Sequence, residues 1–260
     1  MINICIPSLN RPELLKQTTL KLLIDLPTDD FKIYIFLSEA DSRYDGLGTI
    51  VVTNIKGIGK TRTFIRNYFS VGEKIIQLDD DLKSIKSKRD NFNLINFFYE
   101  AFETMGKEDV KFCGCSPYSN EFFMNSIYTT NLKYTGGHLI FEIIRENPIN
   151  VVIDHFEDYL ANILYFIKDK KLLRFNDVYV ETKYYNQEGG IVESYGSLKK
   201  RKEAAEQLSI KIEEYFPKLA TAYKKKKFDV VNIRLKYRSK WTEDLIQLEN
   251  NYNENFNKIL

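Results

Sequence analysis

Three consecutive carboxylates, Asp79-Asp80-Asp81, are the residues whose type and spacing most clearly indicate chemistry. They follow the apolar run Lys74–Leu78, which predicts a buried strand. Adjacent carboxylates repel one another unless a cation or solvent neutralises them, and oxygen ligands at this density suit a hard ion such as Mg²⁺ or Mn²⁺. In open α/β sheets, ligands bind at the carboxyl ends of strands, where these residues stand. A solvated acidic turn is the alternative interpretation.

The elements that must position these carboxylates follow a regular order. Apolar runs separated by turn residues predict β-α-β-β-α-β over the first 81 residues, which is typical of an α/β fold with a mostly parallel sheet flanked by helices. Strands are expected at 2–6, 31–37, 49–53, 74–78 and near 178–180, with short strands between 110 and 145. Helices are expected at 12–23, 61–70, 91–107 and 155–168, the first of them opened by Pro12.

Composition limits the class of protein. The chain has 260 residues, of which 43% are hydrophobic, so it can bury a sizeable core as one large domain or two small ones. Three cysteines, Cys5, Cys113 and Cys115, make no disulfide framework, and the last two stand too close together for an ordinary structural zinc site. Since no long apolar segment or secretory leader is visible, we expect a soluble cytoplasmic protein without a membrane partner.

A glycine-rich loop precedes the second helix but does not match a P-loop. The P-loop pattern requires a glycine five positions before Gly59, and Asn54 stands there. A basic loop close to a ligand phosphate remains an open alternative. Arg62 and Arg66 follow the loop and are four residues apart, so they share a helix face, which is either solvated or turned to that ligand.

Two later groups are candidates for catalysis or binding. Gly136-Gly137-His138 opens a strand, where two glycines permit close backbone approach. His138 is either a metal ligand or, as we favour, a hydrogen-bonded histidine. Glu157 and Asp158 stand in the first turn of a helix, where they either interact with the helix dipole or supply a general base.

Positive charge is concentrated late in the chain. The net charge is +2, yet residues 195–240 hold fourteen Lys or Arg against five Asp or Glu, a net charge of +9. The densest runs are Lys199–Lys202 and Lys224–Lys227, with tyrosines interleaved. Charge runs are often solvated faces, but this combination also suits a polyanionic partner. We therefore divide the chain into a region that holds the carboxylates, 1–194, and a basic segment, 195–260, that would bind such a partner.

The ordered landmarks resemble the GT-A glycosyltransferases. They are Pro7-Ser8 with Arg11, Glu39, Gly57 with Arg62, Leu78-Asp79-Asp80-Asp81, Gly136-Gly137 and Glu157-Asp158. Over about residues 4–218 the chain is most similar to the phage and viral TET-associated glycosyltransferases, which are similar to the base J glucosyltransferase. This resemblance implies a GT-A (Rossmann-like) α/β fold with a basic C-terminal helical and extended segment.

The resemblance also implies an activity: metal-dependent transfer of a hexose, with inversion, from a nucleotide sugar such as UDP-glucose. The implied acceptor is the hydroxyl of a 5-hydroxymethylpyrimidine, such as 5-hydroxymethylcytosine, in double-stranded phage or viral DNA in the host cytoplasm. The same chemistry on a protein or glycan, a nucleotidyltransferase, and a DNA-binding module without activity are the alternatives.

The roles that the resemblance implies are carried residue by residue. The donor nucleotide sugar would contact Pro7, Ser8, Arg11, Glu39, Gly57, Arg62, Asp79, Asp80 and Asp81. Of these, Asp79 and Asp81 are the ends of the motif and candidates for Mn²⁺ or Mg²⁺, with no evident third ligand. Asp158, or Glu157, would be the base. The acceptor would meet Gly136, Gly137, His138, Tyr185, Gln187, Lys199, Lys200 and Arg201.

Overall fold

A computed structural model of the chain describes residues 1–120, 124, 126–182, 197–225, 230–236 and 242–255. Its strands are β1 (Ile2–Ser8), β2 (Phe31–Leu37), β3 (Thr49–Val52), β4 (Lys74–Leu78), β5 (Leu82–Ser87), β6 (Phe112–Ser116), β7 (Tyr128–Thr129), β8 (Leu139–Ile143), β9 (Leu173–Thr182), β10 (Ala220–Lys225) and β11 (Val230–Leu235). Its helices are α1 (Pro12–Gln17), α2 (Thr19–Leu22), α3 (Ile58–Tyr68), α4 (Leu94–Glu108), α5 (Glu157–Asp169), α6 (Leu198–Tyr215) and α7 (Asp244–Asn255).

The central sheet has the strand order β3-β2-β1-β4-β8-β6-β9-β5, with β7 added beside β9. Strands β1 to β4 run parallel, and β8 joins β4 antiparallel. The chain steps from β1 to β2 and β3 in one direction, then returns to place β4 on the other side of β1. This reversal brings the carboxyl ends of β1 and β4 side by side, which is where open α/β sheets bind ligands.

Most predicted elements are present, and the α/β fold class is confirmed. The helix expected over 12–23 is instead two helices, because Thr18 has φ −120° and ψ −95° and interrupts the helical backbone. Helix α3 begins at Ile58, three residues before the predicted start, and β9 is far longer than the strand expected near 178–180. Strand β5, directly after the three carboxylates, was not predicted.

The core lies on both faces of the sheet because strand side chains alternate. Ile4 and Ile6 of β1 face the side covered by α4, where Phe97 and Phe98 pack. Cys5, between them, faces the other side and packs with Ile65 of α3. All six side chains are buried, and each large one contributes about 1.5–3 kcal/mol by leaving water. The sheet is therefore a rigid platform for its carboxyl end.

The described part of the C-terminal region shares a core with the sheet's helices. Ile212 and Phe216 at the end of α6 are buried with Leu164 of α5 and with Tyr252 of α7. The antiparallel hairpin β10–β11 packs against α6. The predicted boundary at residue 194 lies outside the described residues. In the described part of the chain, no helix is both long and apolar enough to cross a membrane.

Candidate active site

The three carboxylates occupy a turn whose backbone is held from three sides. The Thr19 hydroxyl donates to the Asp79 carbonyl at 2.7 Å and accepts the Leu82 amide at 3.0 Å. The Thr18 hydroxyl donates to the Asp80 carbonyl at 3.0 Å. The Asp79 amide donates to the carbonyl of His138 at 3.1 Å. The break between α1 and α2 thus places two hydroxyls where they fix the turn.

Asp80 faces the protein interior and ties β4 to β1. Its side chain is 1% exposed and accepts hydrogen bonds from Ser8 Oγ at 2.6 Å and Arg11 Nη2 at 2.5 Å. Ser8 Oγ also lies 2.8 Å from the hydroxyl of buried Tyr44. Burial raises the pKa of Asp80 to about 7, although Arg11 and Ser8 act in the opposite direction. Asp80, predicted to bind the donor, therefore faces Ser8 and Arg11 on the buried side of the turn and holds the turn against β1.

Asp79 and Asp81 lie on the open side of the turn. Asp79 is 25% exposed and accepts from Arg62 Nη2 at 2.7 Å, while its second oxygen lies 2.6 Å from His138 Nδ1. Burial would raise the pKa of Asp79, but the contacts with His138 and Arg62 outweigh it and lower that pKa. Asp81 accepts from the Thr182 hydroxyl at 3.1 Å, and Arg11 Nη1 lies 3.6 Å from its other oxygen.

These two carboxylates suit a hard divalent ion, because oxygen donors are what Mg²⁺ and Mn²⁺ prefer. Asp81 is the better placed of the two, since both oxygens of Asp79 have close partners, at 2.7 and 2.6 Å, whereas one oxygen of Asp81 has only Arg11 Nη1 at 3.6 Å. Within the described ranges, no group of three or more His, Cys, Asp or Glu is arranged to hold a metal. An ion held here would thus take its remaining ligands from water or from a bound anion.

The histidine and the two arginines of the prediction are part of the protein's own network. His138 contacts Asp79, as expected of a hydrogen-bonded histidine. Arg62 is 2% exposed, and its Nε lies 3.3 Å from Glu157 Oε1. Arg66 is also buried and forks onto Glu142 of β8, with Nε at 2.9 Å and Nη2 at 3.0 Å from its oxygens. The face that the two arginines share is therefore not solvated.

The loop before α3 approaches its neighbours too closely for a P-loop. Gly57 has φ +102°, and a Cβ there would lie 2.4 Å from the Asp154 carboxylate oxygens. That carboxylate accepts the Gly59 amide at 3.2 Å, so it occupies the N-terminus of α3. A Cβ at Gly59 would lie 1.9 Å from the carbonyl oxygen of Ile153. An aspartate therefore sits where a P-loop would hold phosphate.

A cavity of about 180 Å³ lies beside the turn, between the carboxyl ends of β1 and β2. It is lined by Ser8, Leu9, Asn10, Leu37, Ser38, Glu39, Ala40, Asp41, Arg43 and Tyr44. Ser8 and Glu39, both predicted to face the nucleoside, thus line one cavity. Pro7 and Arg11 flank the lining residues Ser8–Asn10 in the sequence but are not lining residues themselves. This cavity is the candidate nucleoside site.

The first turn of α5 carries the candidate base. Asp158 accepts a hydrogen bond from the Tyr134 hydroxyl and another from the Tyr159 amide at 2.9 Å. Its neighbour Glu157 is almost fully buried, and burial raises the pKa of Glu157 although Arg62 opposes the shift. A Cβ at Gly137 would lie 3.2 Å from Asp158 Cβ, so glycine allows this close approach. Of the two acids, Asp158 is the more accessible.

A second cavity, of about 840 Å³, is lined in part by the two tyrosines that hydrogen-bond Asp158. Gly136 and His138 line it together with Tyr134 and Tyr159, whose rings stack at 3.9 Å between centroids. Its other lining residues are Pro117, Tyr118, Asn131, Leu132, Lys133, Arg174, Tyr223, Asn232, Ile233, Arg234 and Leu235.

The three basic residues predicted to meet the acceptor do not line this cavity. Lys199 and Lys200 are exposed in the first turn of α6, with Arg201 following, and none of the three is among the lining residues. Tyr185 and Gln187 lie outside the described residues.

Three solved structures resemble the chain in fold. The S. aureus TarS 1–349 complex with UDP-GlcNAc has TM-score 0.53, 15% identity, and coverage of 82% of this chain and 66% of that one. Pyrobaculum calidifontis mannosyltransferase PcManGT, with GDP-Man and Mn²⁺, has TM-score 0.56, 13% identity, and coverage of 82% and 64%. The glucosyl-3-phosphoglycerate synthase of Mycobacterium tuberculosis, with Mn²⁺, UDP-Glc and phosphoglyceric acid, has TM-score 0.50, 10% identity, and coverage of 91% and 86%.

The fold is GT-A. The chain spans slightly less than two thirds of the length of the TarS and PcManGT chains. No protein-family model and no curated protein matches the sequence. At identities of 10–15%, the likeness concerns the GT-A fold, and the chemistry has to be argued from this chain's own residues.

Several residues of the site were not predicted from the sequence. Tyr44, Tyr134, Glu142 and Arg174 each contact a predicted residue or line a cavity. Tyr134 is the only one with a usable signal, because it stands two residues before Gly136-Gly137. Glu142 and Arg174 are brought in by the pairing of strands far apart in the chain, and Tyr44 by a short 3-10 turn between β2 and β3.

Proposed function

We propose that this chain is a metal-dependent glycosyltransferase that moves a sugar from a nucleotide sugar to a hydroxyl acceptor. One observation carries the proposal. The open carboxylates Asp79 and Asp81 stand at the switch point of a GT-A sheet, beside a cavity of about 180 Å³. His138, which contacts Asp79, lines the larger cavity together with the two tyrosines that hydrogen-bond Asp158. The three similar structures hold UDP-GlcNAc, GDP-Man with Mn²⁺, and UDP-Glc with Mn²⁺.

The donor side follows from this placement. Ser8 and Glu39 would contact the nucleoside, and Asp81, with Asp79, would hold the divalent ion next to the diphosphate. Such an ion offsets the negative charge that develops on a departing diphosphate. Arg62, the predicted diphosphate ligand, is bound to Asp79 and close to Glu157, so its role here is to fix Asp79.

The acceptor side uses Asp158 as base. In this scheme the acceptor hydroxyl gives its proton to Asp158 as its oxygen bonds to the anomeric carbon, while the bond from that carbon to the diphosphate oxygen breaks. Direct displacement inverts the anomeric centre. The Tyr134 hydroxyl and the Tyr159 amide hold the carboxylate in place, which a general base requires. Glu157 is buried against Arg62 and cannot reach an acceptor as readily.

Donor binding tests the proposal. We expect UDP-glucose, UDP-GlcNAc or GDP-mannose to bind in calorimetry with Mn²⁺ and to be released by EDTA. Asp81→Ala should abolish this metal-dependent binding, because it removes the better-placed ligand while leaving the buried Asp80 contacts intact. Asp90→Ala, which removes an exposed carboxylate after β5, is the matched control and should bind normally. Unchanged donor affinity in Asp81→Ala would refute the metal site.

For the acceptor, we propose the hydroxymethyl group of a modified base in duplex DNA. Exposed Lys199, Lys200 and Lys202 on α6 support a polyanion, and the tyrosine-lined cavity suits a base flipped from the stack. Duplex affinity should fall with salt, with slope of about −0.9 per phosphate contact, and should weaken when residues 199–202 become Ser. Exposed Lys21 and Lys107, changed to Ser together, provide the control. Undetectable or salt-independent DNA binding would turn the search to protein or glycan acceptors.

A further inference from the structure

The larger cavity contains a buried arginine that forms no ion pair with any described residue. Arg174 of β9 is 7% exposed. Its guanidinium donates to Asn176 Oδ1 from Nε at 2.8 Å and from Nη2 at 2.6 Å, and to the Tyr134 carbonyl from Nη1 at 3.0 Å. These partners are neutral. Among the described residues no carboxylate forms an ion pair with Arg174, whereas the buried Arg62 and Arg66 each have one.

A second cation lies next to it. Lys133 is half-buried and lines the same cavity, and it too has no ion pair with a described residue. Burial and the neighbouring Arg174 lower the pKa of Lys133, and burial lowers the pKa of Arg174 to about 10. Burying two like charges side by side costs free energy, and no carboxylate in the described part of the chain pairs with either cation to offset that cost. An anionic ligand would supply the missing counter-charge.

The N–H groups of Arg174 that have no partner among the described residues suit an oxyanion. A guanidinium has five N–H groups, and three of those of Arg174 are used. One N–H on each terminal nitrogen remains, and the Lys133 ammonium adds donors beside them. Paired guanidinium donors with a neighbouring ammonium are a typical phosphate-binding set. Arg234, placed over the ring of Tyr223 at 5.0 Å, adds positive charge on the hairpin wall of the cavity.

The two cations lie close to the candidate base, Asp158. Tyr134 accepts from Arg174 through its carbonyl and donates to Asp158 through its hydroxyl. One tyrosine residue therefore separates the two cations from the candidate base. Tyr134 and Arg174 both line the cavity, so a ligand there can place an anionic group at Arg174 and direct a hydroxyl past Tyr134 toward Asp158.

We propose that Arg174 and Lys133 form an anion subsite that binds a phosphate group of the acceptor. The phosphate is either a phosphodiester of a nucleic-acid backbone next to the reacting base or the monoester of a small metabolite. The assignment of this ligand as the acceptor rests on the proposed function, but the anion subsite can be tested without any transfer reaction.

Phosphate binding is the direct test. Inorganic phosphate is titrated by calorimetry at constant ionic strength in chloride, with UDP and Mg²⁺ present to occupy the donor site, and again without them. We expect Lys133→Ser to weaken phosphate about tenfold, as for loss of one charge-assisted hydrogen bond. Arg174→Gln should abolish binding, and Arg174→Lys should retain part of it. Lys107→Ser, on the exposed face of α4, should bind as wild type does.

Two further ligands distinguish the sources of phosphate. Loss of affinity for a short duplex DNA in Lys133→Ser assigns the subsite to a backbone phosphodiester, and loss of affinity for glycerol phosphate assigns it to a small monoester. Because Lys133 is half-exposed, this variant keeps the test valid if Arg174→Gln does not fold. The proposed subsite is wrong if the wild type does not bind phosphate, or if Lys133→Ser and Arg174→Gln bind phosphate as tightly as the wild type does. Failure of UDP alone to bind counts instead against the proposed donor.

Discussion

Glu142 is the residue on which the geometry beneath the site most depends. Its carboxylate accepts from Arg66 Nε and Nη2, from Gln77 Nε2 at 3.0 Å and from the Tyr165 hydroxyl at 2.7 Å. These partners come from α3, β4 and α5, so one side chain of β8 joins every element that carries a candidate catalytic group. Arg66 stands one helical turn after Arg62, which holds Asp79.

The substitution Glu142→Gln keeps the shape of the side chain and removes its charge. Arg66 and Glu142 are each 1% exposed, so the arginine would become a buried, unpaired cation. Removing one partner of a buried ion pair costs about 3–5 kcal/mol. For chains of this size each kcal/mol lowers Tm by about 2–4 °C, which predicts a fall of roughly 6–20 °C. Adding Arg66→Met should restore part of the loss, because no buried charge is then left unpaired.

Urea unfolding with an unchanged m value is the assay. Glu103→Gln is the matched control, since it makes the same chemical change in an ion pair with Lys107 whose members are both 67% exposed. We expect no measurable effect of the control on stability. The reasoning is wrong if Glu142→Gln costs less than about 1 kcal/mol, the range of a surface pair, or if the double variant is no more stable than Glu142→Gln.

Two further predictions concern the site directly. Asp158→Asn should lower turnover by about 10²–10⁴ with unchanged nucleotide-sugar affinity, and normal turnover would move the role of base to Glu157. In metal-free protein, burial acts to lower the pKa of His138, but the contact with Asp79 outweighs burial and raises that pKa above 6.5. Burial and the neighbouring Arg201 lower the pKa of His155 to about 4. The His138 contact therefore stabilises the fold below pH 6.5 and is lost as pH rises through its folded pKa, while protonating His155 destabilises the fold as pH falls from 6.5 toward 4. Two-histidine NMR titration checks this, and two midpoints near 6.5 would contradict it.

The sequence predicted the elements whose hydrophobic pattern is strong. Strand β4 was predicted because its apolar run is continuous. Strand β5, at an edge of the sheet, was missed because its sequence Leu-Lys-Ser-Ile-Lys-Ser has only two apolar residues, three positions apart, and directly follows three acids. The break at Thr18 has no local signal, since threonine is tolerated within helices. The hydrogen bonds that Thr18 and Thr19 donate to the carbonyls of Asp80 and Asp79 join segments about 60 residues apart and are not visible in the sequence.

The site was predicted only where one segment carries its own chemistry. The acids at the end of β4 and the start of α5 could be found from type and spacing. Their partners could not, because Arg66 and Glu142 are 76 residues apart and meet through the pairing of β4 with β8. Helical spacing alone also cannot separate a solvated arginine face from a buried one, which depends on the opposing strand.

The charge around the carboxylates finally determines how an ion can bind. Asp79, Asp80 and Asp81 carry up to three negative charges, and Arg11 and Arg62 offset two of them. A divalent ion alone therefore meets little net negative charge, and both oxygens of Asp79 already have partners. A nucleotide diphosphate adds both charge and oxygen ligands, so ion and donor should bind synergistically, each raising the affinity for the other by the same factor. Mn²⁺ titrations with and without UDP measure this factor, and equal Mn²⁺ affinities would show that the carboxylates bind the ion without the donor or not at all.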